Sequence, residues 1–200
     1  MTVSLELLGR GPARPDLLED LVVDETTIAE VLGRWSVTQP VVVESDRVTG
    51  QPALDEVAEV LAGGAPAVVD VAPGLAAVDA TTATTGGTAS SASTVGPDPA
   101  QSAAHLADLL VVATHAGVGF GSGLVPRCAD ASQVWALLSG AVAAMTGGDV
   151  RAAIASPDPA AIRGLSRSAR EAIRDVVTCV LVPRGRTETI TTDLETADRD

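Results

Sequence analysis

AHLADLLVVATHAGVGFGSG, residues Ala104–Gly123, decides how the chain is read. Its aliphatic run Leu109–Ala113 reads as a buried strand, because strands covered on both faces are continuous Val/Leu/Ile runs rather than alternating ones. The run leads through Thr114 and His115 into a loop with glycine at 117, 119, 121 and 123. On this reading Leu109–Ala113 is the central strand of a sheet. The glycine loop then lies at its carboxyl end, the edge where open α/β sheets take ligands.

Outward from this stretch, short apolar segments alternate with helical patterns. Pro40–Val43, Ala67–Val71 and Val176–Val182 read as buried strands, Thr2–Leu8 as a short alternating one, and Thr187–Thr192 as an edge strand. Helices are expected after Asp16 (Leu17, Leu18, Leu21), from Thr26 or Thr27 (Ile28, Val31, Leu32), and from Pro52 (Leu54, Val57, Ala58, Leu61). Asp130, with Gln133 three residues on, caps a helix carrying Val134, Leu137, Leu138, Ala141, Val142 and Met145, which Gly147-Gly148 ends. Asp149 and Ser166 cap two more, through Ile154 and Arg174, separated by the chain-breaking Ser156-Pro-Asp-Pro159. The alternation predicts an α/β domain of three layers, Rossmann-like, with a mostly parallel sheet. One domain spans 1–186, followed by the edge strand and an acidic tail at 187–200. The Thr/Ser/Gly-rich stretch at about 80–103 has no apolar period and reads as a flexible surface insert.

Hydrophobic residues make up 46% of the 200 but aromatic ones only 2%, so the core must be aliphatic. Net charge is −13 and every one of the 13 basic residues is arginine. Such an acid excess repels phosphate backbones, which argues against nucleic acid as a partner. It suits a salt-rich cytoplasm, where ions screen self-repulsion; codon bias in a GC-rich genome would favour arginine and alanine equally well. No 18-residue apolar run is present, so a cytoplasmic protein without a membrane partner is expected. Cys128 and Cys179 form no CxxC pair and read as idle thiols, with neither a disulfide nor a zinc site.

Several residues carry candidate chemistry. Gly117, Gly119, Gly121 and Gly123 would let a phosphate approach backbone N–H groups, although GxGxxG is not met and GxxxxGK[ST] is impossible without lysine. Asp70, ending an aliphatic run, could hold Mg²⁺ through water or cap the next turn. His115 could act as acid/base or serve as a hydrogen-bonded structural group. Cys128 as a nucleophile would need His115 as its base. The arginines at 163, 167, 170 and 174 have helical spacing and suit either an acidic partner or a solvated face paired with Glu171 and Asp175. No catalytic motif is complete, and no cofactor or metal is implied.

The order of pieces resembles the deviant-Walker ATPases of the MinD/ParA type, beyond their nucleotide loop. SLELLGRGPARPDLLEDLVVDETTIAEVL (Ser4–Leu32) is similar to the family's segment after that loop. Ala67-Val-Val-Asp70-Val-Ala-Pro-Gly74 is similar to its Walker B strand, and Ala107-Asp-Leu-Leu-Val-Val-Ala-Thr114 to its next strand. Only Asp70 and Gly74 match named functional positions. The family's two-lysine loop has no counterpart, so the resemblance implies the fold and a protein partner or homodimer, without ATP hydrolysis. The alternative expectation is a small-ligand or nucleotide-binding protein or enzyme using Asp70, Gly74, Thr114, His115, Gly117, Gly119 and Gly121.

Overall fold

The computed structural model describes residues 17–37, 40–42, 51–70, 99–119 and 121–196. Thr2–Leu8, Gly74, Phe120 and residues 80–98 of the expected insert lie outside them, as does the Asp16 cap.

Among the described residues five strands form one all-parallel sheet: β1 Val22–Asp24, β2 Val41–Val42, β3 Ala67–Asp70, β4 Leu124–Arg127 and β5 Val180–Val182, in the spatial order β1-β5-β4-β3-β2. The N-terminal described strand therefore pairs with the last one, Val22 opposite Val180. Alternate residues serve opposite faces, as the period-2 pleat requires. Val22, Ala67, Val69, Leu124, Val180 and Val182 enter one apolar cluster; Val23, Val68, Val125 and Leu181 enter the other.

Among the described residues the second cluster is closed by one helix, α1 Ile28–Arg34, through Val31 and Leu32, with Trp35 beyond its end. The first is closed by α2 Gln51–Ala62, α3 Pro99–His115, α4 Ala131–Thr146, α5 Val150–Ala155, α6 Pro159–Arg163, α7 Arg167–Val176 and α8 Thr187–Thr196. This division follows from handedness. From β2 to β5 the chain steps across the sheet in one direction, so right-handed crossovers put their helices on one face. Only the return from β1 to β2 runs the other way, and it carries α1.

The caps behave as their chemistry predicts. Asp130 Oδ1 accepts from the Gln133 amide (3.0 Å), Asp149 from Ala152 and Ser166 from Ala169. Gly147 ends α4 at φ 71°. Asp158 and Pro159 open α6 rather than only breaking the chain.

The deciding stretch is corrected. Leu109–Ala113 is not a strand; it is the latter part of α3. Leu106, Leu109, Leu110 and Ala113 are buried while Val111 is 39% exposed, a spacing of three and four that only a helix produces. α3 begins at Pro99, so the last residues assigned to the insert are helical. Thr187–Thr192 is likewise not an edge strand but the start of α8, with Ile190 and Leu194 buried one turn apart. Leu17–Asp20 forms turns, not a helix, and β5 begins only at Val180, because α7 runs on to Val176.

Candidate functional site at the carboxyl edge of the sheet

Turning Leu109–Ala113 into a helix moves the glycine loop to the other end of the sheet. The loop now joins the end of α3 to the start of β4, and Gly123 C=O accepts from the N–H of Ala67, the first residue of β3. Gly117–Gly123 thus lies at the amino edge, whereas Asp70 ends β3 at the carboxyl edge, in register with Arg127. The structure separates the residues that the sequence grouped.

The polar groups beside the loop are spent locally. Thr114 Oγ1 donates to Leu110 C=O (2.7 Å) and His115 Nδ1 to Val111 C=O (2.8 Å), both closing the last turn of α3. Gly117, at φ 64°, provides the left-handed residue that stops the helix. Ser122 Oγ folds back on Gly119, accepting its N–H and donating to its carbonyl. Gly121 and Gly123 are glycines for close packing: a Cβ on Gly121 would meet the Val37 side chain, and one on Gly123 the backbone oxygens of Asp175 and Val176.

The carboxyl edge has a different character. α1 leaves the end of β1 toward one face and α8 leaves the end of β5 toward the other. Between neighbouring strands that diverge in this way an α/β sheet opens a crevice. One is present, with a cavity volume of about 190 Å³, lined by Glu25, Arg127, Cys128, Ala129, Gln133, Leu181, Val182 and Pro183.

Its walls are tied together by hydrogen bonds. Glu25 N–H donates to Val182 C=O (3.2 Å) and Cys128 N–H to Leu181 C=O (2.8 Å). Asp24 Oδ1 accepts from the Thr26 amide (2.9 Å) and hydroxyl (2.6 Å), and Oδ2 from the Gly185 amide (2.9 Å). The Thr26 hydroxyl and amide, then the Gly185 amide, hold the Asp24 carboxyl below its ordinary pKa. On the other wall Gln133, buried at the start of α4, accepts from the Ala129 N–H through Oε1 (2.8 Å). The expected reciprocal cap is present but reaches one residue further back than Asp130.

The Cys128 thiol lines the crevice, yet burial first and the Asp130 carboxylate second push its pKa up, so it stays protonated. It is not placed to act as a nucleophile through His115, which lies at the opposite edge. Among the described residues no group of three or more His, Cys, Asp or Glu side chains could hold a metal ion. No described helix is long and apolar enough to cross a membrane. In the arginine series Arg167 pairs with Glu171 at 3.1 Å, whereas Arg174 is wholly buried.

Glu25 and Arg127 escaped the sequence reading because their strands are three and four residues long. A signal existed: Leu-Val-Val-Asp24 and Ala-Val-Val-Asp70 are nearly the same tetrapeptide, and both end strands at the same edge.

No family model, curated protein or solved structure matches the chain.

Proposed function

We propose that the chain binds a small zwitterion, of the size and charge pattern of an amino acid, in the crevice between β1, β5 and β4. The supporting observation is one carboxylate, Glu25, and one guanidinium, Arg127, on a largely apolar lining at the point where α1 and α8 diverge. Arg127 brings a fixed positive charge for a ligand carboxylate, and Glu25 brings a negative one for an ammonium group. The crevice, about 190 Å³, holds a ligand of amino-acid size. In this reading the domain is a three-layer, Rossmann-like arrangement that acts by binding, with the Cys128 thiol beside the crevice held protonated by burial.

The test is calorimetric titration with a panel of amino acids and small betaines. Binding that is lost in both Glu25→Gln and Arg127→Gln, with melting temperatures unchanged, supports the site. Absence of binding across the panel, or binding that neither variant alters, overturns it.

A second reading follows the MinD/ParA resemblance: a non-catalytic protein that associates with a partner or its own copy. It is favoured by Val41, 43% exposed on β2, the last strand of the sheet. Sedimentation analysis should then show a dimer that Val41→Lys dissociates. A monomer at all concentrations, with no partner retained by immobilised protein, removes this reading.

A further inference from the structure

Arg174 is 0% exposed, and its Nε, Nη1 and Nη2 have no hydrogen-bond partner. It stands on the last turn of α7, which packs in the cluster on one face of the sheet. Its guanidinium carbon nevertheless lies 5.4 Å from the ring centroid of Trp35, which packs in the cluster on the other face. Five N–H donors are thus enclosed beneath an aromatic face, and none of the three nitrogens makes a hydrogen bond. A buried cation in this condition is among the least favourable arrangements in a folded chain. Burial brings its pKa down to about 10, against the opposing through-space pull of Cys179, then Asp20 and Glu19. Among the described residues the two non-glycine positions with positive φ flank the group: Asp20 (52°) and Ser36 (56°), next to Trp35.

We infer that Arg174 and Trp35 form an internal receptor for one small inorganic anion of the halide class, chloride being the ordinary occupant. Complete enclosure excludes any ligand with a body of its own, which leaves a monatomic anion. A buried guanidinium without hydrogen bonds favours an anion over water, because a counter-charge in contact offsets its desolvation more fully than a dipole does. The site lies at the amino edge, behind the glycine loop, and is independent of the crevice at the carboxyl edge.

The tryptophans supply the assay, since bromide within contact distance quenches indole emission. Trp35 and Trp135 are 8% and 4% exposed, so collisional quenching from solvent is weak. Bromide is titrated against gluconate at fixed ionic strength, in the parent protein and in Trp135→Phe, which leaves Trp35 alone. Expected are a saturating quenching curve, recovery of emission on adding chloride, and a melting temperature higher by roughly 5 °C in chloride than in gluconate. Arg174→Met should abolish the saturating phase and the chloride dependence of melting. A strictly linear quenching curve, or a saturating one unchanged in Arg174→Met, overturns the inference. If either variant fails to fold, reversal of bromide quenching by chloride in the parent protein decides: reversal supports the site and its absence rejects it.

Discussion

Asp24 accepts the backbone N–H of Gly185 at 2.9 Å, joining two turns 161 residues apart in the chain. One carboxylate therefore fixes the end of β1, through Thr26, and the turn between β5 and α8. An amide nitrogen in its place could not accept the second N–H. Asp24→Asn is expected to raise hydrogen exchange at Gly185 and Thr26 while leaving Val180 and Leu181 protected. Because the folded-state pKa is lowered, this contribution is present above the ordinary Asp value of 3.8 and is lost as pH falls through the lower folded value. The parent protein should accordingly lose protection at Gly185 in acid, and Asp24→Asn should show no such acid transition.

The helical register of α3 can be tested by two neighbours. Leu110 is fully buried and Val111 is 39% exposed. Leu110→Ala should destabilise by about 2–5 kcal/mol in denaturant unfolding. Val111→Lys should change stability by no more than about 0.5 kcal/mol. In a strand, whose alternation would group Leu109, Val111 and Ala113, the lysine would be the damaging change.

Within the glycine loop, tolerance should differ over four residues. A Cβ at Gly119 meets nothing within 4 Å, whereas at Gly123 it would lie 2.3 Å from the Asp175 carbonyl oxygen. Gly123→Ala is expected to cost at least about 2 kcal/mol, since backbone atoms must move. Gly119→Ala should be close to neutral. Equal effects in thermal melts would contradict a packing role for Gly123.

Alkaline pH should weaken the fold. Burial pushes the Cys179 thiol up to about 12 from 9.0, and Cys128 rises as well. Raised folded values mean that the folded chain holds protons the unfolded chain has lost. Stability is then complete below about pH 9 and declines as pH climbs toward the folded values. Arg174, lowered to about 10, acts in the opposite direction above that pH, because there the unfolded chain holds the extra proton. The decline should therefore be steepest between pH 9 and 10, and Cys128→Ser with Cys179→Ala should flatten it. A melting temperature constant from pH 8 to 10 in the parent protein would contradict the burial of both thiols.

What could be read from the sequence was decided by local chemistry. The caps at Asp130, Asp149 and Ser166 were legible because a side-chain oxygen three residues before a free amide satisfies it in almost any context. Ala67–Asp70 was legible as a strand because Ala67, Val68 and Val69, buried on both faces, form an unbroken aliphatic run between a helix stop and an acidic residue. Leu109–Ala113 was misread because the outward positions Val111 and Val112 are aliphatic as well, so the helix offers the same unbroken run as a central strand. Only the segment from Pro99 onward, hidden in small and polar residues, gives it helical length. The candidate site was then lost by inheritance, since reversing one element transfers its loop to the opposite edge. Arg174 was grouped with three other arginines by spacing, which carries no information about burial.

The pairing of Val22 with Val180 has a consequence for the order of assembly. During synthesis β2, β3 and β4 can dock successively on one another, each bringing its helix. β1 leaves the ribosome first among the described strands and has no edge to join until β5 emerges. α1 and its side of the sheet therefore wait unsealed for the C-terminal third of the chain, and contacts across such a span make for slow folding. A nascent chain halted before Cys179 should expose the Val23 and Leu32 surface to a chaperone that the finished molecule never meets.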